Sequence, residues 1–106
     1  MSVIMALVVN GDPKKLEQHA ASDPDAMRTI LESAKSHGLI AHRFYGSEDG
    51  QIMVIDEWPD EQSFQLFFEE NSGKLGLMFQ AAGVTSEPQP RFWRKLESYD
   101  AYGWGA

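Results

Sequence analysis

Two side chains in this chain combine proton-transfer chemistry with a place on a predicted strand: His42 and Asp56. Histidine changes charge near working pH and serves as a general base or a pocket hydrogen-bonder. A carboxylate at a half-buried strand end can take the same role where water is kept away. Each has a plainer reading. His42 reads equally as a partly exposed strand histidine paired to a neighbour, and Asp56 as one half of an ion pair with Arg43, Arg91 or Arg94. Trp58, Phe67, Met78 and Phe92 are the candidates to wall an apolar cavity, with Arg94 as a polar contact. Trp58 shares a strand face with Ile52, Val54 and Asp56, and its alternative is to pack on the first turn of the next helix. Asp56 and Glu57 are adjacent, so one faces the helices and the other faces away. His19 lies on a helical stripe, and His37 beside Gly38 suits a helix C-terminus, where its charge favours the dipole. Three dispersed histidines without short spacing form no recognisable metal site.

The elements that must position these residues follow a near-repeat with an offset of 48 residues. Ile4 and Met5 map onto Ile52 and Met53, and Asp12 maps onto Asp60, each aspartate heading a predicted helix. Leu16, Ala20, Met27, Ile30, Leu31 and Ala34 map onto Phe64, Phe68, Leu75, Met78, Phe79 and Ala82. Residues 2–10 are apolar on both faces, as in a covered strand. Gly11-Asp12-Pro13 supplies a turn, an N-cap and a first-turn proline. Ser22-Asp23-Pro24 repeats that signal within the apolar stripe, which predicts a kinked or interrupted helix near Asp23. Gly38 marks its end. Residues 39–46 alternate, with Ile40, His42 and Phe44 on one face, and Asp49-Gly50 turns the chain into a third strand over 51–58. A second helix over 61–82 carries Phe64, Phe67 and Phe68. Gly73 and Gly76 loosen its middle at roughly 1 kcal/mol each relative to alanine, so residues 71–76 are expected to move or to leave room, gating the cavity. Residues 87–96 form a fourth strand, at an edge because of Pro88 and Pro90. The order is β-α-β-β-α-β: an α+β, ferredoxin-like arrangement with a four-stranded antiparallel sheet, expected as one domain over residues 1–106. Both helices cover the same sheet face. The other face is left apolar, and a symmetric homodimer through it would remove that surface from water.

Composition narrows the partners. Sixteen acidic and nine basic side chains give a net charge of −7, which disfavours nucleic acid and anionic membrane surfaces. Cysteine is absent, so there is no disulfide, thiolate nucleophile or cysteine–zinc site. That usage suits a cytoplasmic protein. The apolar opening is too short for a membrane helix and lacks the basic leader of a signal peptide.

The element order, the doubly apolar strands and the run Val54-Ile55-Asp56-Glu57-Trp58-Pro59-Asp60-Glu61-Gln62-Ser63-Phe64 resemble the dimeric α/β-barrel superfamily. The nearest flavour is its antibiotic-biosynthesis-monooxygenase-like group, in which a tryptophan ends strand 3 before an acidic cap and an aromatic helix. The whole chain is similar to small actinobacterial proteins of this type. The resemblance implies two sheets meeting as a barrel, with a pocket between sheet and helices in each subunit. It also implies a spread of activities, among them cofactor-free oxygenation of aromatic compounds, haem degradation and lactone or polyketide chemistry. The haem-degrading branch uses an asparagine in strand 1 and a tryptophan and a histidine on the second helix. Here the strand-1 candidate is Asn10, at the strand's end, and residues 61–82 hold neither tryptophan nor histidine. That departure speaks against haem degradation.

Two functions are therefore expected. One is a small-molecule enzyme acting on an apolar or aromatic compound, monooxygenase-like and without a bound cofactor, since the chain has no Gly-rich phosphate loop, clear haem ligand or metal cluster. The other is a non-catalytic dimeric module that binds a ligand or another protein. The tail over 98–106, with Tyr99, Tyr102 and Trp104 spaced by small residues, either crosses onto a second subunit, closes the pocket mouth or frays.

Overall fold

The computed structural model describes residues 1–105; Ala106, the last residue of the tail, lies outside them. The apolar strand β1 (Val3–Asn10) leads into α1 (Pro13–Ser22), whose first turn is capped by Asp12 accepting from the Lys14 amide at 2.9 Å. The interruption expected near Asp23 is present. Asp23 closes α1 and caps α2 (Pro24–Ser36), its side chain accepting from the Ala26 amide at 3.1 Å. Proline at position 24 has no N–H to continue α1, yet it suits the first position of a new helix. Gly38 leaves α2 with a φ of +97°, a conformation that a side chain would resist. Then come β2 (Ala41–Gly46), the turn over 47–50, β3 (Gln51–Trp58), α3 (Glu61–Ala81) and β4 (Arg91–Trp93).

The four strands form one antiparallel sheet in the order β2-β3-β1-β4, and the architecture is α+β and ferredoxin-like. β4 is shorter than the span of 87–96 read from the sequence. Pro88 and Pro90 cannot donate to a ladder. At the other end Trp93 pairs with Ile4, one residue from the start of β1, so Arg94 to Leu96 have almost no strand left to pair with.

The near-repeat holds for the helices and fails for the strands. Leu16 and Phe64 are both buried, as are Ala34 and Ala82, and Asp12 and Asp60 are both N-caps. In the strands, Met5, Leu7 and Val9 face the helices from β1, while Ile52, Val54, Asp56 and Trp58 do so from β3. Met5 and Met53 thus occupy opposite faces. A strand has a period of two, so a slip of one residue exchanges its faces, whereas a helix absorbs it as a rotation of about 100°.

Under the helices lies an aromatic cluster. Trp58 is 0% exposed, with ring centroids of Phe64 at 5.8 Å and Phe67 at 5.4 Å; Phe64 in turn meets Phe92 at 5.5 Å. Among the described residues no helix lies on the opposite face of the sheet. Ile4, Ala6, Met53 and Ile55 are only half-buried there, and Val8, Tyr45 and Trp93 are exposed.

Candidate functional site

Hairpin register creates the site. β2 and β3 pair with His42 directly opposite Asp56, which places both side chains on the helix-covered face. Asp56 is 5% exposed, and its two carboxylate oxygens are engaged separately. Oδ1 lies 2.7 Å from Nδ1 of His42, and Oδ2 accepts from Nε1 of Trp58 at 3.1 Å. With Asp56 ionised its oxygen only accepts, and Nδ1 of His42 is then the donor in that bond. The imidazole is held edge-on against Phe44, with centroids 4.9 Å apart, and the His42 side chain is 32% exposed. The result is an imidazole oriented by a buried carboxyl group, which is itself bonded to a buried indole.

His42 and Asp56 line a cavity of about 90 Å³ between the sheet and the helices. Met5, Leu7 and Val54 form its floor, Met27, Ile30 and Leu31 come from α2, and Phe67, Phe68, Leu75 and Met78 come from α3. Apart from His42 and Asp56 the lining side chains are apolar. A larger, open groove of about 1130 Å³ lies elsewhere, between the N-terminus of α1 and the turn over 47–50, and contains neither residue.

Of the residues singled out from the sequence, His42, Asp56, Phe67 and Met78 meet at the cavity. Trp58 stands behind it in the core, bonded to Asp56. Phe92 is half-buried and packs on Phe64 without lining the cavity. Arg94 follows β4, is exposed, and lies outside the lining. The arginine partners considered for Asp56 are engaged otherwise: Arg43 donates to the Tyr45 hydroxyl at 3.3 Å, and Arg91 stacks over the Trp93 ring at 4.8 Å. Glu57 faces away from the helices and accepts from Ser2 Oγ at 2.5 Å.

The sequence reading named His42 and Asp56 separately and missed their pairing. Counting outward from a two-residue Asp49-Gly50 turn sets 42 opposite 57; the ladder is instead centred on Asp49, with Gly46 opposite Ile52, and this brings 42 opposite 56. It also missed the contribution of α2 and a second buried polar group, Asn71, which is 3% exposed. Asn71 Nδ2 donates to Ser33 Oγ at 2.9 Å and to the Phe67 carbonyl at 3.0 Å, tying α3 to α2 beside the cavity. His37, at the C-terminus of α2, adds a contact to Glu70 on α3.

Sheet order and helix placement define a ferredoxin-like α+β fold, and structures of antibiotic biosynthesis monooxygenases and dimeric ferredoxin-like proteins have a similar one. A monooxygenase from the gene ActVA-Orf6 of Streptomyces coelicolor, in complex with nanaomycin D, superposes with a TM-score of 0.67 at 16% identity, over 92% of this chain and 89% of that one. A dimeric ferredoxin-like protein from an uncultured marine organism gives 0.65 at 13% identity, over 95% and 93%. An antibiotic biosynthesis monooxygenase gives 0.60 at 15% identity, over 91% and 99%. No family model matches the sequence, and neither does any curated protein. The shared property is the fold; identities this low carry no activity with them.

Proposed function

We propose that this chain forms a homodimer through its open sheet face, and that the cavity beneath the helices takes a small apolar or aromatic molecule on which His42 acts as a general base. The observation that carries the reading is the His42–Asp56–Trp58 chain of hydrogen bonds, set at an otherwise apolar cavity. Such a base suits a cofactor-independent, monooxygenase-like reaction. Removing the proton of a hydroxyaromatic compound leaves an electron-rich ring that gives electrons to dioxygen. One oxygen atom enters the ring to give a quinone, and the other leaves as water. Similarity of fold to the Streptomyces coelicolor monooxygenase supports this class, and fold similarity to the dimeric ferredoxin-like protein supports the dimer.

The cavity volume favours a second reading. About 90 Å³ is below the ~150 Å³ that admits benzene in a rigid engineered cavity. An aromatic ligand therefore requires Phe67, Met78 or Leu75 to move, and without that motion the protein is a dimeric binding module. One experiment separates the two. Nanaomycin D and simple dihydroxynaphthalenes are titrated under air, with binding followed by NMR and oxygen uptake by electrode. Oxygen uptake that disappears in His42→Gln while binding persists supports the enzyme. Binding without uptake, or no binding to the cavity, refutes the enzyme and leaves the module.

A further inference from the structure

The segment after β4 has no place on its own protomer. Tyr99, Tyr102 and Trp104 are 101%, 94% and 92% exposed, so their rings are as free as in an extended peptide. Tyr99 and Trp104 also adopt left-handed backbone angles, φ of 63° and 45°, which residues with a Cβ rarely hold without an outside reason. From this we infer that residues 94–105 are an arm that grips a second copy of this chain, its aromatic rings seated in the groove between the N-terminus of α1 and the turn over 47–50.

Three observations select that partner and that seat. First, chemistry matches. The groove has an apolar floor of Leu16, Phe44, Tyr45 and Ile52, and an acidic rim of Asp12, Glu17, Glu48 and Asp49 against one cation, Lys14. The arm is aromatic, and its charges cancel, with Arg94 and Lys95 at its root and Glu97 and Asp100 nearer the rings, so the match is of rings with apolar surface and not of charge. Second, reach is sufficient. The twelve residues 94–105 span up to about 40 Å when extended, whereas β1 is about 27 Å long. The arm leaves at the Ile4 end of the sheet and the groove lies at the Asn10 end, so the arm is long enough to run the length of a facing sheet. Third, size is adequate. Aromatic side chains bury about 150–250 Å² each, so two arms of three rings add about 900–1500 Å², comparable with the ~1,200–2,000 Å² of a stable interface. The groove of the same protomer does not receive the arm, because the rings are exposed.

The absence of cysteine gives a clean test. Trp104→Cys and Asp49→Cys proteins, one of them size-tagged, are mixed and mildly oxidised, while the dimer dissociation constant of a Tyr99→Ser, Tyr102→Ser, Trp104→Ser chain is measured by sedimentation. A mixed disulfide together with at least a tenfold weaker dimer in the triple-serine chain is expected. A dimer that persists with an unchanged constant and no mixed disulfide overturns the arm and leaves the sheet-face dimer standing. A monomer at every concentration overturns both.

Discussion

Gly73 and Gly76 lie inside α3, which runs through them without a break from Glu61 to Ala81. Neither has a positive φ, both are exposed, and a Cβ built on either would meet nothing within 4 Å. Neither close packing nor backbone geometry therefore requires glycine. Each should cost about 1 kcal/mol of helix stability relative to alanine, and with open space around both sites the two gains should nearly add. Gly73→Ala with Gly76→Ala is thus expected to stabilise the chain by about 2 kcal/mol and, in a domain of this size, to raise Tm by roughly 10 °C. Urea denaturation at unchanged m reads the first quantity and calorimetry the second. If the glycines are kept so that this turn can open and let Leu75 and Met78 uncover the cavity, amide exchange over 71–76 should slow about tenfold or more in the double variant. Ligand uptake should slow with it. A variant less stable than the parent would refute the structural premise, because it would mean that something packs where the protomer shows open space. A stabilised variant with unchanged exchange and uptake would refute gating alone.

The open sheet face makes the next prediction: Val8→Lys with Ile55→Lys should leave a folded monomer at about 10 µM by sedimentation, with unchanged far-UV circular dichroism, since charge cannot be buried unpaired between two sheets. A persistent dimer would place the interface elsewhere. Asp60 caps α3, and the amide and then the hydroxyl of Ser63 hold its carboxyl below the ordinary value of 3.8. A lowered native pKa stabilises above the unfolded value and is lost as pH falls through it, so the Tm advantage of wild type over Asp60→Asn should shrink between pH 5 and pH 3. An advantage independent of pH would show that the charge plays no part. Trp58→Phe leaves Oδ2 of Asp56 without its donor and opens space at a site that excludes water. About 2–4 kcal/mol should be lost in denaturant melts, and a loss below 1 kcal/mol would show that the indole N–H is dispensable.

How much of this was legible beforehand follows from periodicity. Asp12, Asp23 and Asp60 each stand before an apolar stripe, so helix starts could be read locally, including the break between α1 and α2. β3 was bounded by an Asp-Gly turn and a Pro-Asp start and came out as read. β4 did not, because its length is set by where β1 begins, a fact about another strand. The same distinction governs the site. That His42 and Asp56 are of types able to carry chemistry was visible from the sequence. That they bond to each other depends on register across the hairpin, and that α2 walls the cavity depends on helix packing. The arginines looked like partners for Asp56 because charge attracts at any separation in sequence, but Arg43 and Arg91 are held by aromatic neighbours on the other face.

Whether the polar chain at the cavity serves folding or chemistry can be decided by energy. A buried acid costs desolvation, and apolar replacement of a whole buried polar set is often neutral or stabilising, whereas removing one member strands the rest. Asp56 is well buried and fully bonded, so Asp56→Leu alone leaves His42 Nδ1 and Trp58 Nε1 without acceptors. A loss of about 3 kcal/mol is expected. His42→Phe alone should cost less, about 1–2 kcal/mol, because its side chain is one-third in water. The triple variant His42→Phe, Asp56→Leu, Trp58→Phe removes every polar atom of the set, offsets the space opened at 58 with larger side chains at 42 and 56, and keeps the contacts with Phe44, Phe64 and Phe67 apolar. It should recover to within about 1 kcal/mol of wild type. Recovery of stability with loss of oxygen uptake would mean that the polar set is kept for its reaction and not for the fold. A triple variant as unstable as the sum of its parts would mean the reverse: the acid, the imidazole and the indole would then be a folding device at the edge of an apolar core, and His42 would have no claim to be a base.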